Sequence, residues 1–281
     1  MIKLVTIDLD GTLLKDNKEI PKLNIDAIKE AKEKGCKIVI ATGRPYNGAI
    51  KVLKPLGLTT NDDYVILYNG AKVINVGTGE VIYTSTIKGS DCKELYKESI
   101  FQGTNIHAFY KNETLITPKF NCYTDIECTI NHVDLNIKSF NDINDDDDFL
   151  KCMLVSEGQN INRVINNIPF NLKEKYSIVR SSVIYLEFLK KNTDKGEALI
   201  ALKNYLKLKD DETMAIGDAG NDLGMIKKAH IGVAVKNAFP EILSNADVIT
   251  PVTNNEAAVA WAINKYVLGK ENEGAVKKPN F

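Results

Sequence analysis

Short apolar runs alternate with amphipathic stretches over the first part of the chain. Residues 3–9 (KLVTIDL) form an apolar run of strand length, and residues 20–35 carry apolar side chains at helical spacing up to a glycine. A second buried strand is predicted at 36–42 (CKIVIAT), a helix at about 46–56 and a third strand at 63–71 (DYVILYNGA). Strands and helices joined in this order by short connections predict a parallel sheet.

The same alternation returns near the carboxyl terminus. The predicted elements are, in order, a helix at 195–206, the strand TMAIGD, a helix at 221–229, the strand HIGVAV, the helix FPEILSNA and the last helix NNEAAVAWAINKYVL. Residues 1–84 and 186–281 are therefore predicted to form one α/β core, a Rossmann-like, doubly wound parallel sheet.

Residues 85–185 have a different pattern and are rich in Asn. The strand candidates NIHAFY, ETLITP, KCMLVS and SIVRS alternate with helices predicted at about 90–102, 121–131 and 160–175. We interpret this region as a separate α+β domain, inserted into the core from about Thr84 to about Leu186.

Length and composition agree with a globular protein of about two domains. The chain has 281 residues, of which 44% are hydrophobic and 26% charged. Its 36 Lys and Arg residues nearly balance 37 Asp and Glu residues, so net charge favours neither nucleic acid nor an anionic membrane as a partner. No run of 18 apolar residues and no signal-peptide pattern is present, and we expect a cytoplasmic protein.

Three other groups of polar residues are interpreted as structural. The five cysteines are widely spread without a CxxC pair, which predicts reduced thiols rather than disulfides or a zinc site. The acidic run at 145–148 lacks the ligand spacing of a metal loop and is interpreted as a solvated loop. His107, His132 and His230 share no spacing with the cysteines and are expected to be structural.

Four segments are predicted to follow core strands at the sheet edge where ligands of parallel sheets bind. In the first, IDLDGT, Asp8 and Asp10 point to the same face of an extended segment and should repel each other. Gly11 permits a turn and Thr12 offers a hydroxyl group. Acids of a strand end that simply face solvent are the alternative.

The second segment, IATGRP, brings Thr42 and Gly43 to the end of a strand, where the glycine lets a backbone N–H approach an anion. A plain turn after a strand is the alternative. The third, TDKGEAL, has Asp194 and Glu197 at the spacing of a capping box, which places Lys195 in the first turn of a helix. The helix dipole disfavours a cation there, so either an anion lies nearby or the lysine is exposed.

The fourth segment, IGDAGND, clusters Asp218, Asn221 and Asp222 where a strand turns into a helix. Helix capping would need only one of them. Taken together, the four segments predict an oxygen-rich site of the kind Mg²⁺ prefers, with a lysine and a threonine able to hold phosphoryl oxygens. A cation and a transferable proton would make the pair of neighbouring aspartates tolerable.

IDLDGT, Thr42, Lys195 in DKG, and GDAGND occur in the order and at the separations of the haloacid dehalogenase superfamily of phosphohydrolases, which the chain resembles over essentially its whole length. The size and position of the insert resemble the Cof-like subfamily with an α/β type II cap. The resemblance implies a Mg²⁺-dependent phosphatase of small phosphorylated metabolites, such as sugar phosphates.

The resemblance also implies a role for each site residue. Asp8 would be the nucleophile that forms an aspartyl-phosphate, and Asp10 the general acid and base. Metal ligands would come from Asp8, from Asp10 through its backbone carbonyl, and from Asp218. The shell around the metal would be arranged by Asn221 and Asp222. Phosphoryl oxygens would be bound by a set of four residues, Thr42, Gly43, Lys195 and Asn221.

Further stretches bear on this resemblance. Asn69 and Gly70, in YNGA, match another recurring stretch of the subfamily near the site. VAVKNA at 233–238 and NNEAAV at 254–259 depart from the usual sequences, at positions that affect packing or the edge of the site. A phosphomutase and a non-catalytic phosphometabolite-binding regulator remain alternatives. An inactive enzyme is expected to have lost at least one of four residues, and all four are present: Asp8, Asp10, Lys195 and Asp218. Neither the substrate nor the oligomeric state follows from the sequence.

Overall fold

The structure is a computed structural model that describes residues 1–270 and 276–277. The elements before the predicted insert are β1 (Leu4–Asp8), α1 (Lys22–Glu33), β2 (Lys37–Ala41), α2 (Tyr46–Leu53), β3 (Tyr64–Leu67), β4 (Lys72–Asn75) and β5 (Val81–Thr84). Next come β6 (Ile87–Lys88), α3 (Gly89–Gln102), β7 (Asn105–Tyr110), β8 (Leu115–Thr117), α4 (Cys122–Asn131), β9 (Leu135–Ile137), β10 (Asp148–Val155), α5 (Gly158–Asn167), α6 (Phe170–Lys175), β11 (Tyr176–Ser182) and β12 (Tyr185–Lys190). The last elements are α7 (Lys195–Tyr205), β13 (Thr213–Gly217), α8 (Leu223–Lys228), β14 (Ile231–Ala234), α9 (Pro240–Asn245), β15 (Val248–Ile249), α10 (Ala258–Tyr266) and β16 (Val276–Lys277).

The chain divides into two compact units. The first contains Met1–Thr42, Ile50–Tyr83 and the described residues from Asp194 onward, and the second contains Gly43–Ala49 and Thr84–Thr193.

The first unit is built on a nine-stranded sheet with the order β16-β15-β14-β13-β1-β2-β3-β4-β5. β1 lies between β13 and β2 and runs parallel to both, with Leu4 opposite Thr213 on one side and Lys37 on the other. All five residues of β1 are buried, as expected for a central strand covered on both faces. The predicted α/β class with a parallel-sheet core is confirmed, and the carboxyl end of β1 places Asp8 in the middle of one sheet edge.

The predicted third strand is shorter than the sequence pattern indicated. β3 ends at Leu67, and the chain continues through one turn of 3-10 helix into the antiparallel strand β4. Tyr68, Asn69 and Gly70 all have positive φ angles, which an extended strand cannot accommodate. The run DYVILYNGA is thus a strand followed by a turn.

The second unit has a seven-stranded sheet with the order β11-β12-β10-β7-β8-β9, and β6 also pairs with β10. Its pairs are antiparallel except for β8 and β9. Phe140, Phe149, Cys152, Ile161 and Phe188 belong to an apolar cluster of this unit and are fully buried. Residues 85–185 therefore carry the predicted mixture of strands and helices.

Two details of the second unit differ from the predicted elements. The helix predicted at 160–175 is two helices, α5 and α6, because the chain at Ile168 and Pro169 is extended and proline has no N–H to continue the hydrogen bonding of a helix. β12 crosses the predicted boundary near Leu186 and pairs with both β10 and β11, so the second unit continues to Thr193.

The described residues contain no helix that is long and apolar enough to cross a membrane. All five cysteines are free thiols, and Cys122 is the exposed one.

Candidate active site

Asp8 and Lys195 form an ion pair at the middle of the sheet edge. Asp8 ends the central strand β1, and Lys195 begins α7, whose first turn is capped by the side chain of Asp194 accepting a bond from the Glu197 N–H at 2.7 Å. Lys195 Nζ lies 2.5 Å from Asp8 Oδ1, and both side chains are buried. The anion that a lysine in the first helical turn requires is therefore Asp8.

The structure contains one of the two bonds of the capping box predicted around Lys195, the bond from the Glu197 N–H to the Asp194 side chain. The Glu197 carboxylate contacts Lys228 Nζ at 2.6 Å. α7 thus begins where the sequence predicted.

Asp222 is the second partner of the buried lysine. Its Oδ1 lies 2.7 Å from Lys195 Nζ, and its Oδ2 accepts backbone N–H groups of Asp218 and Ala219, both at 3.0 Å. Asp222 is fully buried. One carboxylate therefore fixes the ammonium group and the turn that carries Asp218.

Asp218 lies at the carboxyl end of β13, next to β1. Thr12 donates its hydroxyl to Asp218 Oδ1 at 2.7 Å. Gly11 has a φ of +89°, and a Cβ at this position would lie 2.5 Å from Asp218 Oδ2. The loop after β1 therefore needs a glycine, both for its backbone conformation and for the close approach of this carboxylate.

The carboxylates of Asp8, Asp218 and Asp222 together carry more negative charge than Lys195 alone can balance. Burial, and then the charge of Asp222, raise the pKa of Asp8 well above its usual value, although Lys195 opposes the shift. Burial raises the pKa of Asp218 to about 6, against the hydrogen bond from Thr12. Burial would lower the pKa of Lys195, but Asp222 and Asp8 outweigh it and hold this pKa above its ordinary value.

This charge excess fits a bound cation. Carboxylate oxygens of Asp8, Asp218 and Asp222 lie within 4.8 Å of one another, and all three residues are buried. The donors are all hard oxygens, and Lys195 already engages one oxygen each of Asp8 and Asp222. The acidic cluster could therefore hold a metal ion, and Asp218 is the carboxylate of the three to which Lys195 donates no bond.

Thr42 and Asn221 are linked through Asn69. The Asn69 N–H donates to the Thr42 carbonyl at 3.0 Å, and Asn221 Nδ2 donates to Asn69 Oδ1 at 3.1 Å. Thr42 and Asn69 are each 2% exposed. Asn69 thus connects Thr42 and Asn221, which are both predicted to bind phosphoryl oxygens. The sequence placed Asn69 near the site but indicated no role for it.

Gly43 follows Thr42 directly but belongs to the second unit. There its carbonyl accepts a bond from Lys151 Nζ at 3.3 Å, and Lys151 in turn pairs with Glu187 at 3.0 Å. Both of these charged side chains are almost fully buried. The binding role expected of Gly43 remains a prediction.

Asp10 lies outside the buried acidic cluster. Its side chain is 44% exposed, and its Oδ1 lies 2.8 Å from Lys18 Nζ. Lys18 has a φ of +67° in the loop after β1, where its N–H donates to the Lys15 carbonyl at 2.9 Å. Sequence reasoning missed Lys18, because its contact with Asp10 depends on that loop turning back.

Asparagines from the two divergent stretches hold the loop after β1. Asn254 and Asn255 donate side-chain bonds to the carboxylate of Asp16 at 3.1 and 2.9 Å, and Asn237 Nδ2 donates to the Gly11 carbonyl at 2.8 Å. The bonds from Asn255 and then Asn254 lower the pKa of Asp16. The stretches VAVKNA and NNEAAV thus position the loop that carries Asp10. Both stand at positions where the subfamily has recurring sequences, and this was the sequence signal that could have identified the three asparagines.

A family model described as haloacid dehalogenase-like hydrolase matches residues 5–263. Among the curated proteins, the chain is 40% identical to YxeH of Bacillus subtilis (strain 168) over 272 residues, which cover 96% of this chain and 100% of the relative. It is 29% identical over 273 residues to the 5-amino-6-(5-phospho-D-ribitylamino)uracil phosphatase YcsE of the same organism, covering 95% and 96% of the two chains.

Two solved structures are similar over nearly the whole chain. A haloacid dehalogenase-like hydrolase from Bacteroides thetaiotaomicron has a TM-score of 0.81 and 30% identity, with 94% of this chain and 99% of that chain covered. The subclass IIB sugar phosphatase BT4131 has a TM-score of 0.77 and 26% identity, with 94% and 98% covered.

Proposed function

The chain belongs to the haloacid dehalogenase-like hydrolases and is a phosphatase, and from this premise we propose that it hydrolyses small phosphomonoesters through an aspartyl-phosphate on Asp8. The observation that carries the proposal is the buried cluster of Asp8, Lys195, Asp222 and Asp218 at the end of the central strands. The resemblance found in the sequence is confirmed, and the individual roles below are proposals.

Asp8 is the proposed nucleophile. Its carboxylate needs no activating base, because a metal ion and Lys195 favour the ionised form that burial alone disfavours. A carboxylate oxygen attacks phosphorus, the bond from phosphorus to the ester oxygen breaks, and the phosphoryl group remains on Asp8. Lys195, 2.5 Å from Oδ1, restricts the rotation of the nucleophile.

Asp10 is the proposed general acid and base. In the first step its protonated carboxyl group gives a proton to the leaving alkoxide. In the second step the carboxylate takes a proton from the attacking water, the bond from Asp8 to phosphorus breaks, and inorganic phosphate leaves. The two steps return Asp10 to its protonated form, and its partial exposure supports this role because the carboxyl group is accessible to an attacking water.

Mg²⁺ is the proposed cofactor, held by Asp8, by the backbone carbonyl of Asp10 and by Asp218. When bound, it supplies positive charge that neutralises the phosphoryl oxygens as the carboxylate approaches them. Asp222 is proposed to act from the surrounding shell, since it orients both Lys195 and the turn carrying Asp218. Thr42, Gly43 and Asn221 are the proposed contacts to the phosphoryl oxygens.

The proposed substrates are phosphorylated sugars, sugar alcohols or related metabolites. One similar structure is named a sugar phosphatase, and the name of the relative YcsE includes a phosphorylated ribityl chain. Both relatives cover nearly the whole chain, which supports a similar class of leaving group. The cytoplasmic location predicted from the sequence belongs to the same proposal.

Phosphate release from a panel of phosphorylated metabolites, with and without Mg²⁺, tests the proposed function. We expect Mg²⁺-dependent release from sugar or polyol phosphates, and none with Asp8→Asn. The stoichiometry of free phosphate to consumed ester separates a phosphatase from a phosphomutase, which would return the group to the substrate. No release from any member of the panel would contradict the proposal.

Thermal melting tests the metal site without turnover. Mg²⁺ should raise the melting temperature, because it neutralises buried carboxylates only in the folded chain. The increase should be much smaller with Asp218→Asn, whereas Asp247→Asn, remote in sequence from the acidic cluster, should respond like the wild type. An equal shift in all three proteins would contradict the assignment of Asp218.

A further inference from the structure

The turn after β3 contains three consecutive residues with positive φ. Tyr68, Asn69 and Gly70 have φ angles of 52°, 53° and 99°. A side chain on Gly70 is excluded, since a Cβ there would lie 2.1 Å from the Asp194 carbonyl oxygen at the start of α7. The backbone of this turn is thus fixed against the helix that carries Lys195.

The backbone conformation alone does not explain why residue 69 is an asparagine. Its φ of 53° and ψ of 33° lie in the left-handed region, which glycine enters with less steric conflict than any other residue. What Asn69 adds to the position is therefore its side-chain amide. That amide is almost completely buried, and its Oδ1 accepts the bond from Asn221 Nδ2.

Asn69 bonds to the end of the neighbouring strand β2 and also to a residue beyond the non-neighbouring strand β13. Thr42 follows β2, Asn69 follows β3, and Asn221 follows β13, which lies on the far side of β1. The backbone of Asn69 holds the Thr42 carbonyl, while its side chain holds an amide from a residue 152 positions later. The Thr42 N–H is bonded in addition to the Ile66 carbonyl at 2.9 Å.

We propose that Asn69 is a positioning residue for the phosphoryl pocket, and that it fixes the distance between Thr42 and Asn221. This inference rests on the proposed function, in which those two residues contact the phosphoryl oxygens. Without the Asn69 side chain, Asn221 loses its fixed orientation, while the backbone bond to Thr42 stays in place. A displacement of about 1 Å in a substrate-holding group can lower the rate about 100-fold.

Asn69→Gly tests the inference, because glycine keeps the left-handed backbone and removes only the amide. The matched control is Lys207→Gly, which makes the same backbone change at an exposed residue with a φ of 56°. Two quantities are measured for each protein: the affinity for inorganic phosphate in the presence of Mg²⁺, by titration calorimetry, and kcat/KM for the best ester of the panel.

We expect Asn69→Gly to weaken phosphate binding about 10-fold and to lower kcat/KM about 10- to 100-fold, with a melting temperature close to that of the wild type, because relief of the left-handed backbone offsets the added freedom of the unfolded chain. Lys207→Gly should leave both functional quantities unchanged. Asn69→Gly combined with Asn221→Ala should be no worse than Asn221→Ala alone, since the Asn69 amide acts through Asn221.

Three outcomes would overturn the inference. They are phosphate affinity and kcat/KM of Asn69→Gly equal to those of the wild type, multiplicative losses in the double variant, and no phosphate binding by the wild-type protein. Failure of the proposed function would give a different result. In that case the wild type binds phosphate and Asn69→Gly binds it about 10-fold more weakly, but neither protein hydrolyses any ester. That result would support the positioning role of Asn69 and contradict the phosphatase mechanism.

Discussion

Lys195 Nζ lies 2.5 Å from Asp8 Oδ1 and 2.7 Å from Asp222 Oδ1, and the lysine side chain is fully shielded from solvent. A third buried carboxylate, that of Asp218, lies in the same cluster as those of Asp8 and Asp222. The lysine therefore belongs to the electrostatic balance of the folded chain as well as to the proposed chemistry.

Lys195→Met should destabilise the protein and abolish turnover. Removing one partner of a buried ion pair leaves uncompensated charge, which typically costs about 3–5 kcal/mol. Urea denaturation without Mg²⁺ measures this loss, and adding Mg²⁺ should recover part of it. Lys228→Met, which removes a partly exposed partner of Glu197, is the control and should change the midpoint little. Equal midpoints for the two variants would contradict the account.

Asp10→Asn should impair catalysis in a way that depends on the leaving group. Loss of general acid–base assistance costs about 10²- to 10⁴-fold, and least for a leaving group that needs no proton. Formation of the phosphoenzyme should therefore slow strongly with a sugar phosphate and mildly with an aryl phosphate, while its hydrolysis slows with both. Rapid-quench measurement of labelled protein distinguishes the steps, and equal slowing of formation with both esters would exclude the acid role.

Lys18→Met should reproduce part of the Asp10→Asn defect. Lys18 Nζ lies 2.8 Å from Asp10 Oδ1, so its loss removes one contact that orients the carboxyl group. We expect kcat/KM to fall several-fold for a sugar phosphate and less for an aryl phosphate, at an unchanged melting temperature. Lys22→Met, which breaks a similarly exposed pair with Asp26, is the control. A loss that is identical for both esters would rule out a role through Asp10.

His107 should make the stability of the protein depend on pH. Burial, and then the charge of Lys151, lower the pKa of His107 to about 3, whereas an unfolded chain has a value near 6.5. The unfolded state alone takes up the proton as the pH falls below about 6.5, so the stabilising contribution is full above that pH and declines toward pH 3. The free energy of unfolding should lose about 1.4 kcal/mol per pH unit from this residue.

Chemical denaturation at pH 7.0, 6.0 and 5.0 measures that slope, with His107→Gln as the comparison. Glutamine can still bond to Thr124, which lies 3.0 Å from the His107 Nδ1 atom, but does not titrate. The difference in stability between the two proteins should shrink as the pH falls. A constant difference would show that His107 keeps an ordinary pKa in the folded chain.

The positions that follow parallel strands were predictable from the sequence. Apolar runs ending in Asp8, Thr42 and Asp218 imply strands whose carboxyl ends meet at one edge, and β1, β2 and β13 are indeed neighbours. The lysine in the first turn of α7 implied an anion, which is present. These inferences succeeded because each rests on a local pattern and on one general rule about parallel sheets.

The contacts made by Asn69 and Lys18 were not predictable in the same way. The bond from Asn221 to Asn69 joins residues 152 positions apart. It also requires β3 to end at Leu67 in a turn, which the apolar run YVIL does not predict. The pair of Lys18 and Asp10 depends on a loop that Asn254 and Asn255 hold through Asp16. Such contacts result from tertiary packing rather than from local periodicity.

The central claim is covalent catalysis by Asp8, and trapping the phosphorylated protein tests it most directly. The reaction is quenched with acid during hydrolysis of an ester that the wild-type protein accepts as a substrate. Peptide mass spectrometry should then locate one phosphoryl group on Asp8 in the wild type. Asp8→Asn should fold, show no such adduct and release no phosphate, because an amide cannot form the acyl phosphate. Phosphate release by Asp8→Asn at a rate near that of the wild type, or an adduct on a different residue, would contradict the account.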